Sequence, residues 1–150
     1  MLVYRIPRAK YADGLQASGR ENRWNQAKQY VIYASQSKAL ATLEMVANRG
    51  AIMEGALYRL LTLEISRPGE ILTVVRTQEL GNRWQNMENR PTTQEIGSRW
   101  YIEKSSVALK VPSVLVNGEY NFVINTDHPD FDKRVALKSV EDFYWDARLL

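Results

Sequence analysis

Short runs of β-branched and aromatic residues, bounded by Gly, Pro, Ser or Asn, recur along the chain. They predict strands over residues 2–6, 30–34, 57–65, 71–76, 107–111 and 121–125. In the third run, Leu57, Leu61, Leu63 and Ile65 share one parity while Tyr58, Thr62 and Glu64 share the other, the alternation of a half-buried strand. Ser66-Arg67-Pro68-Gly69 reads as the turn that follows it. The clearest helix spans residues 37–49. Ser35 or Ser37 can cap its start, Gly50 follows its end, and Arg49 in the last turn suits the helix dipole. Ala39, Leu40, Leu43, Val46 and Ala47 form its apolar stripe, with Glu44 on the shoulder beside Leu40 and Ala47. A second, short helix is expected from about Ser139. Residues 76–99 read as a long surface excursion, and the echo of Asn22-Arg23-Trp24 in Asn82-Arg83-Trp84 has no matching flanks that would make it a repeat. These elements predict an α+β fold, a single compact domain over residues 1–150 with a mixed or antiparallel sheet.

Composition narrows the class. A chain of 150 residues with 45% hydrophobic and 25% charged side chains can bury one sizeable core, which excludes a disordered or collagen-like chain. No apolar run approaches the roughly 20 residues of a membrane span, and Met1-Leu2-Val3-Tyr4-Arg5 lacks a signal-peptide core. Cysteine is absent, so disulfides and thiolate chemistry are excluded. A cytoplasmic protein is expected. The net charge is only +3, yet residues 1–28 concentrate Arg5, Arg8, Lys10, Arg20, Arg23 and Lys28 against two acids. Such a cluster suits nucleic acid, a phosphorylated small molecule, or merely a solvated face.

Several familiar machines are missing, among them a Walker loop, a GxGxxG fingerprint and a GxSxG elbow. The single histidine, His128, stands in Asn125-Thr126-Asp127-His128-Pro129-Asp130. That run lacks the glycine and terminal glutamate of a calcium loop, and a turn capped by Asp side chains is the expectation. No metal site is predicted.

Three blocks carry a resemblance. Asn22-Arg23-Trp24-Asn25, then Val31-Ile32-Tyr33-Ala34-Ser35 and Ala39-Leu40-Ala41-Thr42-Leu43-Glu44, resemble the N-terminal signature of the RES-domain family. Val111-Pro112-Ser113, Glu119-Tyr120-Asn121-Phe122-Val123-Ile124-Asn125 and His128-Pro129-Asp130-Phe131 resemble its C-terminal signature. Tyr4-Arg5, Ile96-Gly97-Ser98-Arg99-Trp100 and the ending Phe143-Tyr144-Trp145-Asp146 match as well, so the likeness is ordered and spans nearly the whole chain. The family's glycines before and after Arg-Trp-Asn are replaced here by Glu21-Asn22 and Gln26-Ala27-Lys28, which bears on the conformation of that loop. The resemblance implies a toxin of a bacterial toxin–antitoxin pair with an ADP-ribosyltransferase-like fold that acts on NAD. Its Arg, Tyr, Glu and Ser fall on Arg23, Tyr33, Glu44 and Ser113, and Asn121 matches a further family position.

Residue chemistry is compatible with those assignments. Cleavage of the nicotinamide–ribose bond builds positive charge on the ribose, which a fixed carboxylate such as Glu44 stabilises. Nicotinamide leaves neutral, so no general acid is needed. Arg23 offers a planar fork for pyrophosphate, or else stacks on Trp24 at the surface. Tyr33 can stack on nicotinamide or belong to the core. Ser113 can hold the carboxamide, orient Glu44 or simply close a turn, and Asn121 is alternatively a strand-end cap. NAD is thus expected as substrate, with no cofactor and with water or phosphate as acceptor. The alternatives are a transferase that modifies a host protein, a nucleic-acid-binding module using the basic patch, and an inactive member. The resemblance further implies an Xre-type helix-turn-helix antitoxin that blocks the site. A hetero-oligomer follows, which a toxin dimer can serve to build, with DNA contacted only through the antitoxin.

Overall fold

The computed structural model describes residues 1–150, the side chain of Arg49 excepted. Seven strands make one sheet: β1 (Leu2–Arg5), β2 (Val31–Ser35), β3 (Tyr58–Ile65), β4 (Leu72–Val74), β5 (Ala108–Pro112), β6 (Tyr120–Asn125) and β7 (Val135–Phe143). Their spatial order is β4-β5-β6-β2-β1-β3-β7. Only β4 and β5 run parallel, so the sheet is mixed, as the sequence predicts for an α+β domain. The helices are α1 (Lys38–Ala47), α2 (Pro68–Ile71), α3 (Arg90–Glu103) and α4 (Phe131–Arg134). None is long and apolar enough to cross a membrane.

Strand alternation sends side chains to two faces. One face gathers Val3, Ile32, Ala34, Leu61, Leu63, Phe122 and Ile124, covered by Ala12, Leu15, Ala17, Ile71 and Phe131. The other face is divided. At one end Tyr4, Tyr58 and Leu60 pack against Ala41 and Met45 of α1. At the other end, Val31, Leu109, Val111 and Val123 meet Trp24, Trp84 and Trp100, the last on α3. Between these two apolar clusters lies a polar row.

Several expectations are corrected. The stretch 57–65 does not alternate: Leu60, Leu61, Thr62 and Leu63 are all buried, because α1 covers the face that the pattern assigned to water, while Leu57 precedes the strand and is exposed. The turn after β3 opens with Arg67 in the left-handed region (φ 49°) and continues into the single helical turn of α2. The expected helix from Ser139 is strand β7, paired with β3 from Tyr58↔Phe143 to Ile65↔Val135, with a bulge at Thr62/Leu63. A continuous partner edge outweighs the local helical signal. Within the supposed excursion 76–99 begins the 14-residue helix α3. Its buried positions are Thr93, Gly97, Ser98 and Trp100, a mostly small or polar set that leaves no apolar stripe to read.

The N-terminus of α1 is capped by Ser37, whose Oγ accepts from the Leu40 amide at 3.0 Å. The helix ends at Ala47, and the dipole argument for Arg49 rests on a side chain outside the described residues. Its inner face is not the predicted stripe. Leu40, Ala41 and Met45 turn inward, whereas Ala39, Leu43 and Ala47 are exposed. This rotation brings Glu44 from the shoulder toward the polar row. The turn at His128 is capped by Asn125 Oδ1, which accepts from the Asp127 amide at 2.9 Å, and by His128 Nδ1, which accepts from Asp130 at 3.1 Å, and not by Asp side chains. Among the described residues no cluster of metal-ligating side chains occurs.

Candidate active site

The polar row is set by register. Val111 pairs with Asn121, Asn121 with Ser35, and Ser35 with Tyr4, so these side chains lie side by side on the divided face. Ser35 Oγ donates to Asn121 Oδ1 at 2.7 Å, which fixes the amide so that its Nδ2 points the other way. That Nδ2 donates to Glu44 Oε1 at 2.5 Å. Ser113, immediately after β5, donates to the same carboxylate oxygen over a longer 3.4 Å. The Ser113 hydroxyl oxygen also accepts from the Leu115 and Val116 amides at 3.0 and 3.2 Å, so it is at once the turn hydroxyl and a Glu44 neighbour. One carboxylate oxygen is thereby held by two donors, one in β6 and one just past the end of β5. Glu44 is only partly buried, and Oε2 has no hydrogen-bond partner among the described residues.

Arg23 comes from a tight turn. Asn22 and Asn25 form an antiparallel bridge that leaves Arg23 and Trp24 at the tip. Trp24 is buried against Trp84, with ring centroids 6.2 Å apart, so Arg23 does not stack on a surface tryptophan. Asn25 is fully buried and staples the loop: its Nδ2 donates to the Arg20 and Gln26 carbonyls at 2.8 and 3.0 Å. The Tyr33 hydroxyl donates to Asn25 Oδ1 at 2.6 Å and accepts from the Trp24 amide at 3.2 Å. Tyr33, half-buried in β2, therefore braces the backbone beside Arg23, and burial raises its pKa well above the ordinary phenol. Among the described residues the Arg23 guanidinium hydrogen-bonds only to the Trp84 carbonyl at 3.4 Å and Met87 Sδ at 3.8 Å. Burial lowers its pKa first, the nearby Arg90 guanidinium adds to that, and the Glu44 carboxylate opposes both.

The five predicted residues form two contacting groups: Glu44 with Ser113 and Asn121, and Tyr33 with the turn that carries Arg23. The Glu44 carboxylate is near enough to act on the Arg23 charge, so the two groups bound one candidate cleft. Arg5 faces the opposite side of the sheet with Val3. Arg8 and Lys10 lie against the Tyr11 ring, and the Arg20 charge also acts on that phenol, so the basic cluster of the sequence is divided.

Motif reading missed the support from α3. Thr93 Oγ1 stands 2.7 Å from the Arg23 carbonyl, Gln94 Nε2 donates to the Asn22 carbonyl at 2.9 Å, and Gln29 Nε2 donates to Ser98 Oγ at 2.6 Å. Gly97 lets the helix approach: a Cβ there would sit 1.7 Å from the Trp24 carbonyl oxygen. Pro91 in the first turn was the one local signal of this helix. Ser35 and Asn25 carry no sequence cue beyond lying inside the matched blocks.

Comparison with known proteins bears on the family and the fold. The RES domain family profile matches residues 2–146. The chain is 33% identical over 147 residues to the Prs ADP-ribosylating toxin of Sphingobium sp., covering 93% of this chain and 88% of that one. It is 30% identical over 154 residues to Toxin Res of Photorhabdus laumondii, covering 100% and 97%. In fold it is similar to a chain of the crystal structure of the M. tuberculosis MbcT–MbcA toxin–antitoxin complex, with a TM-score of 0.72, 19% identity, and coverage of 95% of this chain and 83% of that one. A family match over nearly the whole length, with toxins among the near relatives, establishes that this chain belongs to the RES-domain toxin family.

Proposed function

We propose that this chain is the toxin of a toxin–antitoxin pair and degrades NAD, breaking the bond between nicotinamide and ribose. The observation that carries the reading is Glu44, held through Oε1 by Asn121 and Ser113 and near enough to Arg23 to act on its charge. As the C–N bond breaks, its electron pair leaves with the nicotinamide nitrogen and the ribose carbon becomes oxocarbenium-like. The free Oε2 of Glu44 faces that growing charge, and because the carboxylate is already oriented it needs no reorganisation when the charge appears. Arg23 supplies the fork for the pyrophosphate, and the ring of Tyr33 offers a flat surface for nicotinamide. Ser113 and Asn121 act by holding Glu44. Water or phosphate then adds through an oxygen to the ribose carbon and loses its proton to solvent. No cofactor is required; NAD is the substrate. In this reading the chain acts in the cytoplasm and is silenced by an Xre-type helix-turn-helix antitoxin in a hetero-oligomer.

A second acceptor is favoured by one finding, the name of the Sphingobium relative, an ADP-ribosylating toxin 33% identical to this chain. Transfer to a protein side chain would use the same cleavage step and differ only in which nucleophile reaches the ribose. One experiment separates these readings. Purified protein is incubated with NAD, with and without phosphate and with cell lysate, and the products are identified. Nicotinamide with free ADP-ribose or its phosphate supports degradation, whereas label retained on a protein band supports modification. Intact NAD in every arm overturns both.

A further inference from the structure

Arg90, the first residue of α3, is a second cation of the cleft. The Thr93 hydroxyl stands 2.7 Å from the Arg23 carbonyl and 3.0 Å from the Arg90 carbonyl, so one side chain brings the two arginine backbones together. Arg90 is half-buried, its Nε is sealed from solvent, and its guanidinium makes no hydrogen bond among the described residues. No carboxylate lies within ion-pair distance of Arg23 or Arg90 among those residues. Arg134 offers the contrast: its Nε is also unpartnered, yet its Nη2 pairs with Glu70 at 3.5 Å. Arg90 also adds to the burial that depresses the Arg23 pKa, so the two charges feel each other.

Two like charges held near each other and partly desolvated, with no ion-pair partner and only the more distant Glu44 to offset them, cost free energy. A ligand with two adjacent negative charges would remove that cost. Guanidinium forks match phosphate oxygens in pairs, and the positive end of the 14-residue helix α3 adds to the field. We propose that Arg90 and Arg23 together form a two-arginine seat for a diphosphate, with Arg90 a substrate-binding residue that fixes the dinucleotide across the cleft from Glu44. This rests on the reading of NAD as substrate for its biological ligand, but the seat itself is defined by the diphosphate.

The test uses the full chain and two probes, NAD and inorganic pyrophosphate. Wild type, Arg90→Gln and Arg90→Lys are compared by NAD kinetics, by pyrophosphate binding in a calorimeter, and by inhibition with nicotinamide, which has no phosphate. Losing charge-assisted hydrogen bonds from one fork should raise the NAD KM and weaken pyrophosphate binding alike, by about 10–100-fold in Arg90→Gln. The kcat should change less than KM, nicotinamide inhibition should be unchanged, and Arg90→Lys should fall between. A folded Arg90→Gln with wild-type pyrophosphate affinity and KM overturns the seat. So does a wild-type protein that binds no pyrophosphate, whether or not it turns over NAD. Arg90-dependent pyrophosphate binding without any NAD cleavage keeps the seat and rejects the proposed function. Should Arg90→Gln fail to fold, Arg90→Lys carries the comparison, with a loss in both phosphate readouts and none for nicotinamide as the supporting result.

Discussion

Glu44 shows how a single residue is made chemically specific by its neighbours. Asn121 and Ser113 spend their donors on Oε1, and Ser35 locks the Asn121 amide in the one orientation that presents N–H to the carboxylate. Glu44→Gln keeps the shape and removes the charge, so kcat for NAD cleavage is expected to fall by about 100–1000-fold while the protein stays folded. Full activity in a folded Glu44→Gln protein, measured by nicotinamide release, would remove this carboxylate from the mechanism. Tyr33 allows a test of a different kind. Burial raises its pKa, so the folded chain keeps the phenol proton at a pH where the unfolded chain, near the ordinary value of about 10, has released it. Fewer protons on the unfolded state mean that stability falls as pH rises. The contribution of Tyr33 is thus complete below about pH 10 and is lost above it. Denaturation followed from pH 8 to 11 should therefore show a steeper alkaline loss in wild type than in Tyr33→Phe. Below pH 9 the variant should be less stable by about 1–3 kcal/mol, because Asn25 Oδ1 and the Trp24 amide lose their partner. Parallel curves would show that the phenol does not titrate differently on folding.

At the scale of elements, the cleft depends on how closely α3 approaches the Asn22–Asn25 turn. Gly97→Ala would place a methyl group 1.7 Å from the Trp24 carbonyl oxygen, and that oxygen belongs to backbone, so the turn or the helix must move. Overpacking of this kind typically costs 1–3 kcal/mol. Gly97→Ala should therefore lower Tm and raise the NAD KM through displaced Arg23, with kcat less affected; an unchanged Tm and KM would show that the interface yields freely. The same interface explains what the sequence leaves unread. The strands β1, β2, β5 and β6 follow from their apolar runs, and α1 from its Ser37 cap, to within a residue or two. Helix α3 escapes because its inner face carries Thr93, Gly97 and Ser98 to make polar and close backbone contacts, the opposite of an apolar stripe. Strand β7 escapes because it is an edge strand whose outward residues are charged, a pattern that short windows confuse with a helix. The five cleft residues become legible only jointly, through the matched blocks. Taken singly, Ser113 and Tyr33 have ordinary structural uses, and the structure shows those uses too. Arg90 has no local signature, since only the fold reveals that it stands beside Arg23.

For the whole molecule, the decisive property is a pair of arginines, Arg23 and Arg90, with no ion-pair partner among the described residues, on a chain of net charge only +3. Arg5 lies on the opposite face of the sheet, and Arg8, Lys10 and Arg20 gather about Tyr11. Met87, whose Sδ meets the Arg23 guanidinium, is exposed and gives the site an apolar rim. An inhibitory partner therefore has two kinds of contact available, a carboxylate against Arg23 and apolar side chains against this rim. The charge pairing would speed association and compete directly with substrate phosphates, while burial of the rim would slow dissociation. An antitoxin segment that fills the cleft in this way should copurify when the chain is co-expressed with its genomic neighbour. It should also suppress nicotinamide release when present in excess. Arg23→Ala should weaken that complex, with most of the change in association rate and in its salt dependence, whereas Met87→Ala should act chiefly through faster dissociation. A neighbour that neither copurifies nor reduces NAD loss is not the partner. A neighbour that inhibits equally well against Arg23→Ala binds somewhere other than the cleft.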